Sequence, residues 1–280
     1  MKPKHIIIGL LALMVTACGE DFLNIPSQTA LTSEVYFKTE TDFNQAINGA
    51  YAPLRTVYDG NTGAWAMAEM HSDNARYILN PSMRATIDQE NAADFIQLAS
   101  NGISTSKYRN DFQVIARANQ VLSSLENVTF TQASRDNIKG QALFLRAFCY
   151  FDLVQYFGSV PLHLVPATTI EETALPLASK DELISQIVAD LESAISLLPA
   201  KSAQEAGRAT KGAAQMLLAN VYMEEKDYAS AETLLKAIVS SNEYTLLADY
   251  ASIYLPANKN NSESIFEIQY QQGTDGYSSR

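Results

Sequence analysis

Two pairs of closely spaced carboxylates are the residues of this sequence best suited to acid–base chemistry. Glu69 and Asp73 stand four residues apart and could share one face of a helix. Asp88 and Glu90 also lie close together, and paired carboxylates perform glycoside hydrolysis, but acidic residues are common in a chain that holds 31 of them. Because the sequence has no His–Glu metal spacing, no glycine-rich phosphate loop and no Gly-x-Ser-x-Gly, we predict that the protein is not an enzyme and uses no metal or cofactor.

Cys18 stands at the end of a segment that has the layout of an export signal. Two lysines precede an apolar run over residues 6–15, which is too short to span a bilayer, since that takes about 20 residues. Small residues then stand directly before the cysteine, an arrangement that resembles the signals of bacterial lipoproteins, in which the thiol is acylated, for example with palmitate. We predict that residues 1–17 are a signal peptide and that Cys18 is lipidated, which anchors the chain without crossing the membrane. The alternative is an ordinary secretory signal with an incidental cysteine.

Charge and cysteine content exclude several classes of protein. With 31 acidic and 20 basic residues the formal charge is −11, and an acidic surface repels nucleic acid. Hydrophobic residues make up 47% of the sequence, which is enough to fill a core. Cys18 and Cys149 are the two cysteines, so acylation of Cys18 leaves no disulfide within the chain. Cys149 lies in an apolar stretch, where a free thiol is most simply a small buried hydrophobe.

Apolar residues recur at helical spacing over most of the chain, which predicts a mainly α-helical protein. The first helix is expected to begin near Thr41 and Asp42, whose side chains can cap free N–H groups. Gly158 and Pro161 are expected to end another helix, since glycine suits a left-handed cap and proline cannot continue the helix. The predicted helices cover residues 41–58, 108–125, 133–157, 180–198, 210–225 and 228–240.

Two stretches depart from this helical pattern. Residues 59–104 have poor periodicity, and long irregular stretches within a domain are often functional, so we expect the ligand contacts there. Residues 263–270 alternate between apolar and polar as a β-strand does, although no partner strand is obvious before them.

An internal repeat organises the predicted helices. Residues 139–150 align without gaps on residues 211–222, with six identities in twelve positions and an offset of 72 residues. Two units of about 36 residues fit that offset, and tetratricopeptide-type helix pairs repeat at about 34 residues. We therefore predict a superhelix of tetratricopeptide-like helix pairs over residues 105–241, with little β structure. Chance similarity between alanine-rich helices is the alternative, and it would leave the fold class unchanged.

Several motifs are spread over nearly the whole chain. They are Cys18 with Phe22, Leu23 and Pro26 after it, then segments 46–51, 140–162, 207–214 and 263–267. In this order they resemble the motifs of the SusD/RagB family of nutrient-binding outer-membrane lipoproteins. The resemblance implies a non-catalytic protein, lipid-anchored at the cell surface, that captures oligosaccharides or peptides and delivers them to a SusC-like TonB-dependent barrel. Family members are much longer, so the chain resembles an N-terminal half and is expected to be incomplete at its C-terminus.

The range 59–104 also holds the residue types that bind sugars without catalysis. Flat aromatic rings pack against the C–H faces of a sugar, and amides or carboxylates bond its hydroxyls. Trp65, Asp73, Asn74 and Tyr77 are therefore our candidate ligand-binding residues. Trp65 is the single tryptophan and could instead anchor the core. The specificity loops of the family do not align residue by residue, so no binding residue is carried over from it.

We expect three parts in the chain. They are the signal peptide over residues 1–17, a lipidated tether and docking segment over residues 18–40, and a SusD-like α-helical domain over residues 41–280. Two other functions stay open: a tetratricopeptide-like scaffold lipoprotein that faces the periplasm and binds proteins, and a glycosidase. The sequence does not decide among starch, host glycans, plant polysaccharides and peptides as the ligand.

Overall fold

The computed structural model describes residues 36–58, 64–72, 74–75, 82, 87–96 and 98–270. The chain divides into two units, residues 1–38 and 39–280, and of the first unit only residues 36–38 are described. The predicted signal peptide, the lipidation site Cys18 and most of the predicted tether therefore lie outside the described residues. The second unit is mostly helical and its described residues contain no β-strand, which confirms the mainly α fold.

The first predicted helix is in fact two helices, α1 over Glu40–Tyr51 and α2 over Leu54–Val57. Pro53 separates them, because a proline inside a helix lacks the N–H donor and its ring clashes with the carbonyl four residues earlier. That carbonyl, which belongs to Gly49, instead accepts a hydrogen bond of 2.5 Å from the guanidinium of Arg117. This hydrogen bond links the break between α1 and α2 to a later helix, which carries Arg117.

A capping box fixes the start of α1. The hydroxyl of Thr39 accepts a hydrogen bond of 3.3 Å from the Asp42 N–H, and the Asp42 carboxylate accepts one of 2.7 Å from the Thr39 N–H. Each side chain satisfies a backbone donor that the helix itself leaves free. The cap is therefore Thr39, and not Thr41 as the sequence suggests.

Short helices occupy part of the range 59–104, for which the sequence predicts irregular loops. The helix α3 covers Ala64–Glu69, α4 covers Ile87–Ala93, and the first long helix, α5, already begins at Gly102. Helices of six and seven residues make fewer than two full turns, which is too short for a helical period to show. This is why the sequence does not indicate them.

Long consecutive helices form the main part of the second unit, and each packs against the next in sequence. A short polar side chain before each helix bonds free N–H groups of its first turn. The predicted helices from residue 133 onward are confirmed to within one residue at each end. Across the described ranges, none of the helices is both long and apolar enough to cross a membrane. They are α5 (Gly102–Ser124), α6 (Gln132–Phe157), α7 (Lys180–Leu197), α8 (Lys211–Glu224) and α9 (Tyr228–Ser240).

The two glycines of the internal repeat occupy equivalent close approaches. A Cβ built on Gly140 of α6 would lie 2.8 Å from Cγ of Leu198, just after α7. A Cβ built on Gly212 of α8 would collide with the hydroxyl of Tyr244, just after α9. In both copies the repeat helix meets the segment that follows the next helix. The sequence repeat therefore reflects a repeated packing contact.

Arg146, a charged residue in an apolar part of α6, is buried and makes four side-chain hydrogen bonds. Two of its nitrogens donate hydrogen bonds of 2.7 Å to the carboxylate of Asp190. The remaining Nη1 donates to the side-chain oxygen of Asn119 at 2.8 Å and to the Leu164 carbonyl at 3.1 Å. The buried charge therefore has a carboxylate, an amide and a carbonyl as partners. Cys149, one turn further along α6, is fully buried, as expected for a small hydrophobe.

Residues 263–270 form an irregular segment without strand pairing among the described residues, so the predicted strand is wrong. Side chains hold this segment in place. The ring of Phe266 lies 5.1 Å from the ring of Phe144 on α6. Tyr270, the last described residue, donates a hydrogen bond of 2.9 Å to the carbonyl of Arg55 in α2. The alternating sequence pattern reflects these contacts with helices and not pairing in a sheet.

Candidate ligand-binding site

A small apolar cluster joins α3 and α4 to the start of α5. Ala66, Met70 and Ile103 form its buried centre. Met67 and Ala93 pack against this centre and are partly buried. Since Ala93 ends α4 and Ile103 lies at the start of α5, the cluster fixes both short helices against the first long one.

Hydrogen bonds also link α4 to the N-terminus of α5. The Asp88 carboxylate accepts a hydrogen bond of 2.9 Å from the Gly102 N–H, and the Asp88 carbonyl accepts one of 2.9 Å from the Asn101 side chain. Asn101 caps α5 by accepting a hydrogen bond of 3.0 Å from the Ile103 N–H. A Cβ at Gly102 would lie 2.7 Å from the Asp88 carboxylate, so a larger residue would displace it.

The helix α4 ends in a motif that gives Phe95 an uncommon backbone conformation. Phe95 has a φ of +58°, its N–H donates to the Ala92 carbonyl at 3.3 Å, and the Ile96 N–H donates to the Asn91 carbonyl at 2.8 Å. This is the Schellman helix end, whose left-handed position usually holds glycine. A side chain in that conformation costs about 1–2 kcal/mol. Residues held in such conformations cluster at functional sites.

The ring of Phe95 lies parallel to the ring of His71. Their centroids are 5.0 Å apart and their planes are within 10° of each other. Phe95 nevertheless stays 64% exposed, and the neighbouring Ile96 and Leu98 are about half exposed. An exposed flat ring that a second ring supports can take the C–H face of a sugar. We call the stacked pair of His71 and Phe95 the aromatic platform.

The structure describes two of the four sequence-predicted ligand residues in part. Trp65 lies on α3, but its side chain is outside the described atoms. Asn74 is exposed, and its N–H donates a hydrogen bond of 3.1 Å to the Ser72 hydroxyl. Asp73 and Tyr77 lie outside the described residues. The role of these four residues in binding stays a prediction.

The sequence does not point to Phe95. Its local signal is an apolar pair, Phe95 and Ile96, directly after the polar Asp94. A left-handed helix end is normally read from a glycine or asparagine, and neither stands here. Only the backbone of α4 shows that the ring is displayed at the end of a helix.

The structure describes the carboxylates of one of the two pairs noted in the sequence, Asp88 and Glu90. Asp88 is bonded to Gly102, and Glu90 is buried, with 9% of its surface exposed. Asp73, the possible partner of Glu69, lies outside the described residues. Within the described part of the chain, no group of three or more His, Cys, Asp or Glu could hold a metal ion.

Helices that pack in sequence order, with an exposed aromatic platform beside them, define a helical-repeat protein. The SusD-like family model, described as starch-binding associating with the outer membrane, matches residues 21–223. The chain belongs to this SusD-like family. The matched range contains the platform and every helix from α1 to α7.

Known relatives resemble the chain over most of its length. The SusD-like protein P25 of Formosa agariphila is 26% identical over 99% of this chain and 55% of its own. A solved laminarin-binding SusD-like protein superimposes with a TM-score of 0.74 and 26% identity, covering 82% of this chain and 51% of that one. Surface glycan-binding protein A of Bacteroides thetaiotaomicron, solved in complex with laminarihexaose, gives a TM-score of 0.71 and 25% identity over 82% and 49%. The chain spans about half the length of the curated relatives it matches.

Proposed function

We propose that the chain is a non-catalytic, lipid-anchored nutrient receptor. It captures oligosaccharides at the aromatic platform and delivers them to a SusC-like TonB-dependent barrel in the outer membrane. The observation that carries the proposal is the exposed ring of Phe95, stacked on His71 and displayed despite an unfavourable backbone conformation. The starch-binding description of the family and the laminarin and laminarihexaose ligands of two relatives support oligosaccharides as the ligand class.

Binding at such a platform needs no covalent step. The apolar face of a sugar ring stacks on Phe95, while polar groups of nearby loops bond its hydroxyls. The exposed side chain of Asn74 is one such group, and we propose Trp65, Asp73 and Tyr77 as further contacts. Stacking on few rings gives modest, reversible affinity, which suits a receptor that must release its ligand to a transporter.

The substitution Phe95→Gly tests the platform without disturbing the fold. Glycine suits a φ of +58°, so the variant should be at least as stable as the wild type in urea unfolding. Removal of the ring should weaken binding of laminarihexaose, measured by calorimetry, by about tenfold, which corresponds to about 1.4 kcal/mol.

Lys226→Gly is the matched control for this variant. Lys226 has a φ of +63° at the end of α8, and its N–H and that of Asp227 bond the carbonyls of Met223 and Tyr222 as in the same Schellman motif. This substitution relieves the same backbone conformation but removes no ring, so the affinity should not change. If Phe95→Gly bound laminarihexaose as tightly as the wild type, the aromatic platform would not be the binding site. A wild-type chain that binds no member of a glycan array, laminarihexaose and malto-oligosaccharides included, would overturn oligosaccharide capture.

Protease treatment of intact cells separates the receptor from the periplasmic scaffold. A surface receptor is cleaved on intact cells, whereas a periplasm-facing scaffold resists until the outer membrane is broken. Mild detergent extraction should also recover the chain together with a large outer-membrane barrel. Recovery of the chain alone in several detergents would contradict the proposed partner.

A further inference from the structure

A second cleft lies on the helical scaffold between α6 and α8. Its volume is about 420 Å³, within the range of about 300–1,000 Å³ that is usual for small-molecule sites. Phe148 and Phe151 of α6 and Leu217 and Met223 of α8 supply apolar lining, together with Tyr58, just after α2. None of its lining residues belongs to the aromatic platform. We call it the α6–α8 cleft.

Three polar side chains that line this cleft make no side-chain hydrogen bond among the described residues. Gln155 of α6 and Asn220 and Glu224 of α8 line it and are exposed. Among the described residues, none of the three makes a side-chain hydrogen bond or a salt bridge. Two amides and one carboxylate beside apolar walls can bond the hydroxyls of a ligand whose ring faces are apolar. The side-chain chemistry of the cleft is therefore that of a sugar site.

One lining residue of the cleft belongs to a buried charge cluster. Asp152 lines the cleft and is paired with Lys107, which is fully buried. The Lys107 ammonium also lies 4.3 Å from the centre of the Tyr156 ring and 5.4 Å from that of Tyr58. Its charge is therefore balanced from within the protein, by a carboxylate and two aromatic faces.

A second carboxyl of this cluster, Asp111, has a raised pKa. Burial, with the nearby Asp152 charge, raises the pKa of Asp111 to about 8, and the Lys107 ammonium only partly opposes this shift. The Cys149 thiol next to it is also fully buried, and burial raises its pKa. The Lys107 ammonium therefore offsets the charge of Asp152, the one member of this cluster that lines the cleft.

The charge around the cleft selects against anions. No lysine or arginine is among its described lining residues, whereas Glu224 contributes a negative charge at the rim. The ammonium of Lys180, near Glu224, is already engaged by Glu225 at 2.9 Å. An acidic sugar would bring a second negative charge towards Glu224 without gaining a cation, which is unfavourable.

We propose that the α6–α8 cleft is a second ligand site, which binds one unit of a neutral sugar and rejects uronic acids. The apolar walls take the ring face, and Gln155, Asn220 and Glu224 bond the hydroxyls. The site shares its ligand class with the proposed function but none of its residues. An experiment can therefore contradict binding at one site without contradicting binding at the other.

Methionine methyl groups allow the cleft to be observed by itself. Met223 lines the cleft, whereas Met70 is buried in the apolar cluster that joins α3 and α4 to α5. The full chain, labelled with ¹³C at its methionine methyls, is titrated with the methyl pyranosides of glucose, galactose and mannose. We expect a saturable shift of the Met223 signal with at least one of them and none of the Met70 signal. A Met223 signal that none of the three moves would overturn the proposal.

Methyl glucuronide tests whether the cleft rejects anionic sugars, because it differs from methyl glucoside by one carboxylate. It should bind at least about tenfold more weakly than the best neutral pyranoside, as expected for like charges brought together in a partly buried site. Glu224→Gln removes the rim charge and should narrow this difference. Equal binding of the neutral and the acidic sugar by the wild type would show that the cleft does not select by charge, and would overturn the assignment.

Substitutions separate the cleft from the platform. Asn220→Ala should weaken the Met223 titration by about fivefold to tenfold, the loss of one or two hydrogen bonds. Gln215→Ala, on the same helix but outside the cleft, is the matched control and should leave the titration unchanged. Phe95→Gly should also leave it unchanged. If the Met223 titration were unaltered in Asn220→Ala, neither Asn220 nor the cleft would bind the sugar.

Discussion

The guanidinium of Arg146 on α6 meets the carboxylate of Asp190 on α7 through two hydrogen bonds of 2.7 Å each. Both side chains are buried, with 9% and 4% of their surfaces exposed. The pair spans the interface of two neighbouring helices, so it fixes their relative register as well as balancing two charges. Neither charge could be left there alone, because an unpaired buried ion is strongly unfavourable.

Removal of the Arg146 charge should therefore destabilise the fold far more than removal of an exposed charge. We expect Arg146→Met to lower the free energy of unfolding by about 3–5 kcal/mol, since it leaves Asp190 buried without its partner. Adding Asp190→Leu should restore part of the loss. Lys236→Met is the control, because its salt bridge with Glu232 is exposed and should matter by less than about 1 kcal/mol. Urea unfolding measures all four proteins, and a cost below that of the control would contradict the role of the buried pair.

Asp111 should make the stability of the fold depend on pH. Its pKa of about 8 in the folded chain lies far above the value of about 3.9 for an unfolded aspartate. Between these values the folded chain holds one proton more than the unfolded chain. The free energy of unfolding should therefore fall as pH rises, by at most about 1.4 kcal/mol per unit, and this part of the stability should be lost above pH 8.

The variant Asp111→Asn tests this dependence, since asparagine does not titrate. Its stability relative to the wild type should rise from pH 5 to pH 9 in urea unfolding experiments. Glu192→Gln, on the exposed side of α7, is the control and should keep the slope of the wild type. Parallel pH profiles of Asp111→Asn and the wild type would show that Asp111 is ionised throughout.

Substitution by alanine should lower the stability of the fold at Gly140 and raise it at Gly49. A Cβ at Gly140 would lie 2.8 Å from Leu198, so Gly140→Ala should cost about 1–3 kcal/mol through overpacking between α6 and the end of α7. A Cβ at Gly49 of α1 would meet no described atom within 4 Å. Gly49→Ala should therefore gain about 0.5–1 kcal/mol from helix propensity. Thermal unfolding distinguishes the two, and a stabilised Gly140→Ala would disprove the close approach.

Cys18→Ala should release the protein from the membrane fraction. The prediction follows from the signal peptide expected over residues 1–17 and from the lipid expected on the Cys18 thiol. The helices should fold as before, which circular dichroism of the soluble protein can check. A variant that stayed in the membrane fraction would contradict the lipid anchor.

Helix ends can be predicted from sequence where local interactions fix them. They cannot be predicted where contacts with residues distant in sequence decide the structure. Ser179 and Glu182 form their capping box within three residues, so the start of α7 could be predicted. Pro53 also acts locally, yet the continuous apolar period across it favours one helix over two. The strand expected at residues 263–270 fails for a different reason: its alternate side chains contact helices that lie far away in sequence.

The proposed binding surfaces were the least predictable part for the same reason. Asp152 and Lys107 are 45 residues apart, and no period or motif relates them. The platform pairs His71 with Phe95, which different short segments carry. Residue types suggested that aromatic and amide groups in residues 59–104 could bind sugar, but which rings face solvent depends on where α4 ends.

The hydrogen bond from Tyr270 to Arg55 has a consequence for how the helices come apart. Helical arrays in which each element contacts only its neighbours can unravel from one end, repeat by repeat. Here the last described residue is bonded to α2, and Phe266 packs on Phe144 in α6. Fraying of this segment would therefore expose the earliest helices as well. The second unit should lose its structure in one cooperative step, with no stable intermediate in which only its final helices have melted.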